Sequence, residues 1–83
     1  MDNNINLLLY GISILESHTN IMELKSLKRA VIKVKDKDKR TTENLMNILS
    51  FAEKLEKVYP NSDMINVILN RAMSMVEQHL KIC

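Results

Sequence analysis

Apolar residues recur along this chain at intervals of three and four, the spacing that gathers them on one side of an α-helix. Ile5, Leu8, Ile12 and Leu15 form the first such stripe, which predicts a helix over residues 4–17 with Asp2, Asn3 or Asn4 as its cap. Leu7 and Ile14 fall on the opposite side of that helix, so it is apolar around most of its circumference. Ser17, His18, Thr19 and Asn20 are poor helix formers and read as a turn.

A second helix is expected over residues 20–35. Asn20 stands three residues before Glu23, a capping-box spacing, and Ile21, Leu24, Leu27, Val31 and Val34 supply the buried face. Residues 33–39 then alternate lysine with valine and aspartate. With no apolar side, that alternation fits an exposed basic loop over residues 35–40 better than a strand. Thr41 or Thr42 caps a third helix over residues 41–59, where Leu45, Ile48, Ala52, Leu55 and Tyr59 repeat in a 3-4-3-4 pattern and Leu49 and Phe51 widen the stripe. Pro60 ends it. The fourth helix, over residues 62–81, buries Ile65, Ile68, Leu69, Ala72, Val76 and Leu80, with Met73 as ordinary core filling. The three-residue link of Pro60, Asn61 and Ser62 makes the last two helices neighbours in a hairpin. The fold class is therefore all-α: a small three- to four-helix bundle forming one domain over residues 1–83, with a C-terminal helical hairpin and a tendency to oligomerise.

Composition supports the helical reading and limits the core. One Gly and one Pro leave little punctuation for hairpins of strands. The aromatics are Tyr10, Phe51 and Tyr59 alone, so an aliphatic and methionine core must stabilise 83 residues without an intramolecular disulfide, because there is one cysteine. Such a chain gains from pairing with itself or with another protein. Leu7 and Ile14, left on the far side of the first helix, are the first candidates for that interface. Met46 and Met75, at the edges of their stripes, are the second.

Charge changes the picture most. Residues 25–40 hold eight of the twelve basic residues against two aspartates, a surplus of six; the remainder has four basic and eight acidic residues, a deficit of four. Lys25, Lys28, Arg29 and Lys33 on the second helix, continued by Lys35, Lys37, Lys39 and Arg40 on the loop, form a candidate partner-binding ridge. The ridge fits an acidic protein. A sequence-tolerant nucleic-acid contact is the alternative, although the stretch has no aromatic for stacking and no Asn or Gln for base edges.

Candidate chemistry is sparse. His79 and Cys83 are four apart, a spacing two metal ligands can share, but two ligands do not complete a site, so no metal and no cofactor are expected. A single glycine excludes a glycine-rich phosphate loop, and the carboxylates show no paired spacing for acid–base work. No enzyme and no small-molecule substrate are expected. The apolar run from residue 7 to 15 is interrupted by Gly11 and Ser13 and is shorter than the ~20 residues of a membrane span, so a cytoplasmic location away from membranes is expected. The segments ELKSLKRAV and TTENLMNIL resemble small enterobacterial regulatory connector proteins of the YmgB/AriR type, and no residue role is carried over from that resemblance. The expected function is that of a protein-interaction module: an adaptor, a regulator or a chaperone-like subunit. A structural subunit of a viral or secretion assembly is a further alternative.

Overall fold

Among the described residues four helices follow one another: α1 (Asp2–Glu16), α2 (Met22–Lys33), α3 (Thr42–Val58) and α4 (Asp63–Ile82). The structure, a computed structural model, describes the backbone of residues 2–82 and the side chains of residues 2–81. Among the described residues there is no strand, and the molecule measures 35 × 20 × 19 Å. Each helix packs on two others, α3 on α2 and α4, and α1 on α2 and α4. Three polar contacts fix the directions. Asn4 donates to Gln78, Asp2 meets Arg40 beyond the end of α2, and Thr42 meets His79, so the start of α1 lies beside the ends of α2 and α4, and the start of α3 beside the end of α4. Neighbouring helices are therefore antiparallel.

Helix ends follow local chemistry, with two departures from expectation. The Thr41 hydroxyl accepts from the Asn44 N–H at 3.2 Å and Ser62 accepts from the Ile65 N–H at 3.3 Å, starting α3 and α4 with side-chain caps. At α2, however, the cap position is Ile21 and no side chain caps it; Asn20 lies outside the helix. Ile21 packs against the core instead, so hydrophobic anchoring replaces the expected capping box. The first helix also begins two residues earlier than the stripe suggested, at Asp2. Between α2 and α3 the Lys-Asp alternation folds into a short 3-10 helix, Lys37–Lys39, capped by the Asp36 carboxylate accepting from the Asp38 N–H at 3.0 Å.

Among the described residues one cluster of sixteen buried apolar side chains forms the core, contributed by all four helices. From α1 it takes Ile5, Leu8 and Ile12, with Leu15 half-buried against it; from α2 and its end Leu24, Leu27, Val31 and Val34. Helix α3 contributes Leu45, Ile48, Ala52 and Leu55, whereas Tyr59, at the C-cap, is exposed. On α4 the expected stripe is rotated. Ile65, Ile68, Ala72 and Val76 are buried as read, but Met75 joins them at 1% exposure while Met73 and Leu80 face solvent. Ile68 lies against Gly11 of α1, and Met75, seven residues on, shares its side of α4, whereas Met73 and Leu80 share another. Burying α4 against α1 as well as α3 turns the helix by that much. Met75 is thus a core residue and cannot line a partner surface, contrary to its expected role.

Candidate functional site

The eight cations of residues 25–40 divide into two groups. Lys28 is turned towards α1, where its ammonium meets Glu16 at 2.8 Å. Arg40 is used twice: Nε donates to the Val34 carbonyl at 2.9 Å and Nη2 to Asp2 at 2.8 Å. The first of these bonds satisfies a carbonyl at the end of α2, and the Arg40 side chain is only 13% exposed. The Arg40 hydrogen bond and charge hold the Asp2 carboxyl below its usual value, with Lys37 adding a smaller effect of the same sign. Lys28 and Arg40 are therefore each paired with an acid within the chain, Lys28 at partial exposure and Arg40 nearly buried. Lys25, Arg29, Lys33, Lys35, Lys37 and Lys39 remain exposed, and among the described residues none of them lies within ion-pair distance of an acid.

Within that second group, Arg29 and Lys33 overhang a groove between α2 and α3. Its α2 wall is Ser26, Arg29 and Lys33, its α3 wall Asn44, Asn47 and Phe51, with Ala30 on the floor; the open volume is about 290 Å³. Asn44 is fixed by donating from Nδ2 to the Lys39 carbonyl at 2.6 Å, which leaves its side-chain oxygen as an acceptor. The ammonium of Lys54 lies 5.4 Å from the centre of the Phe51 ring, within cation–π range. The amides and the aromatic ring absent from the basic stretch itself are thus supplied by the neighbouring helix. A sequence signal for this existed: Asn47, Phe51, Lys54 and Val58 repeat at 4-3-4 spacing on α3, as Met22, Ser26, Arg29 and Lys33 do on α2. Only packing shows that Ser26, Arg29 and Lys33 of the one stripe share a groove with Asn47 and Phe51 of the other.

The apolar candidates are placed differently from one another. Leu7 and Ile14 are half-buried, beside the exposed Tyr10 on the outer side of α1. Met46 is exposed on α3; Met75, as described above, is not. His79 is half-buried, with Nε2 2.9 Å from the Thr42 hydroxyl at the seam of α3 and α4, while Cys83 lies outside the described residues. Among the described residues no three His, Cys, Asp or Glu side chains gather as a metal-binding group, and no helix is long and apolar enough to cross a membrane.

No protein-family model, curated protein or solved structure matches this chain. The resemblance of ELKSLKRAV and TTENLMNIL to regulatory connector proteins rests on those two segments alone.

Proposed function

We propose that this chain is a small cytoplasmic interaction module, an adaptor, regulator or chaperone-like subunit, that docks an acidic partner protein on its α2 and loop cations and performs no catalysis itself. The observation that carries the reading is the six exposed cations with no acid within ion-pair distance among the described residues, on a chain whose remainder is acidic. A molecule using these residues for its own stability would pair them, as it pairs Lys28 and Arg40. Left unpaired, they generate a field that speeds and orients the approach of an oppositely charged surface. Leu7, Ile14 and the exposed Tyr10 and Met46 offer separate apolar contacts for a second copy of the chain or for the same partner.

Nucleic acid is the second reading, favoured by the arrival of Asn44, Asn47 and Phe51 beside Arg29 and Lys33. Salt separates the two. Engagement of six phosphates should weaken binding about 10³-fold between 50 and 200 mM salt, whereas a protein interface with apolar contacts should lose much less. The test is a Lys25→Glu, Arg29→Glu double variant, assayed against whatever partner co-purifies from the native host before and after nuclease treatment. Loss of binding with retained helicity supports the proposal. Unchanged binding would show that these cations are a solvated face and that the apolar surfaces carry the interaction.

A further inference from the structure

At the end of the bundle away from the basic loop, all four helices contribute to one apolar pocket of about 160 Å³. Leu15 from the end of α1, Leu24 from the start of α2, Leu55 from the end of α3 and Ile65 from the start of α4 line it. Leu24, Leu55 and Ile65 belong to the buried core, so the pocket reaches inward from the surface. The two short links at this end complete the wall, residues 17–21 with Thr19 and Ile21, and residues 59–62 with Tyr59 and Ser62.

Local sequence explains why this end stays open. Tyr59 continues the 3-4 stripe of α3, and in a longer helix its ring would add to the buried face. Pro60 follows it, and the residue before a proline is driven out of the helical region. Tyr59 takes φ −130° and ψ 68°, leaves the helix and lines the pocket at 40% exposure, at its rim rather than inside it.

We propose that this pocket is a binding site for a small uncharged apolar molecule, a single ring or a chain of about six to eight carbons. A cavity of about 150 Å³ walled by leucine, isoleucine and phenylalanine stays dry and takes up benzene, and this pocket is its match in volume and in aliphatic wall chemistry. No charged side chain lines it, so an ion entering would lose its water with nothing to replace it. The side-chain polar groups of the wall are three hydroxyls, and that of Ser62 already accepts from the Ile65 N–H at 3.3 Å. Such a ligand binds the folded chain alone and touches all four helices, so it stabilises the bundle by mass action. The site is separate from the cationic docking surface and does not depend on it.

The test titrates the full chain, labelled at its Ile and Leu methyl groups, with benzene, and with benzoate as the charged comparison. Benzene should cause saturable NMR shifts at Leu15, Ile21, Leu24, Leu55 and Ile65 and raise the thermal midpoint with concentration. Benzoate should bind at least about tenfold more weakly, since its carboxylate finds no partner there. Thr19→Phe adds a ring to the wall and should weaken benzene by about tenfold or more, because the space it needs is taken. Met73→Ser, exposed on α4 and outside the pocket, should change the affinity by less than about twofold. Circular dichroism checks that both variants keep their helices. No saturable shift up to the solubility limit of benzene, shifts clustered elsewhere, equal affinity for benzoate, or insensitivity to Thr19→Phe each overturns the inference. Failure of benzene to bind, together with loss of native-partner binding in Thr19→Phe, overturns it in favour of a partner's side chain as the occupant. Benzene binding and the effect of the Lys25/Arg29 reversal on the native partner are read in separate assays, so the pocket and the docking surface stand or fall separately.

Discussion

Arg40 Nη2 donates to Asp2 Oδ1 at 2.8 Å, joining the first turn of α1 to the residue that follows the 3-10 helix, thirty-eight positions along the chain. The same guanidinium holds the end of α2 through the Val34 carbonyl, so one side chain ties together α1, α2 and the loop. Because Asp2 has a folded pKa below its ordinary 3.8, its contribution to stability is fully present above that value and is lost as pH falls through the lowered folded value. The acid limb of the thermal midpoint below about pH 4 should therefore flatten in Asp2→Asn. The Arg40→Gln variant should lose more than Asp2→Asn, because it also frees the Val34 carbonyl. Equal midpoints for the two variants would show that the Val34 bond contributes nothing.

Two methionines that look alike in sequence should behave in opposite ways. Met75→Ala empties a fully buried site and should cost about 2–5 kcal/mol, enough to unfold a large share of a small domain. Met46→Ala removes an exposed side chain and should stay within about 0.5 kcal/mol. Urea titration of both variants measures this directly. A Met75→Ala loss no greater than that of Met46→Ala would contradict the rotation of α4.

The single glycine offers a stabilising change. Gly11 lies inside α1 without a positive φ, and a Cβ placed there would meet Ile68 Cγ1 at 3.5 Å, an ordinary van der Waals contact. Gly11→Ala should raise stability by about 0.5–1 kcal/mol through helix propensity alone, seen as a rise in thermal midpoint of several degrees. A fall would mean that α1 and α4 approach more closely than this distance.

Adjacent cations on α2 should separate stability from binding. Lys28→Gln breaks the half-exposed ion pair with Glu16, costing no more than about 0.5–1 kcal/mol, and should leave partner affinity unchanged. Arg29→Gln should leave stability unchanged and weaken the partner. Calorimetry alongside a binding isotherm gives both readings. Reversal of the pattern would place the binding ridge on the α1 side of the helix instead.

Helical content, the α3–α4 turn at Pro60, a threonine cap at 41 or 42 and most of the core could be read from the chain, because each is set within a few residues by periodicity, propensity and capping chemistry. The charge asymmetry was equally plain. What periodicity could not set was the rotation of each helix about its axis. A stripe wider than half a helix admits several buried arcs, and only the positions of two neighbours select one. That selection put Met75 inside and Met73 and Leu80 outside on α4. It also turned Lys28 towards Glu16 and drew Arg40 to Asp2. By the same rule Asn44, Asn47 and Phe51 came to line one groove with Arg29 and Lys33, although spacing on α3 alone does not say which helix its stripe meets. Spacing along one helix determines which residues share a side; which side meets a neighbouring helix depends on how four amphipathic helices bury their apolar surface together, and only the folded chain decides that.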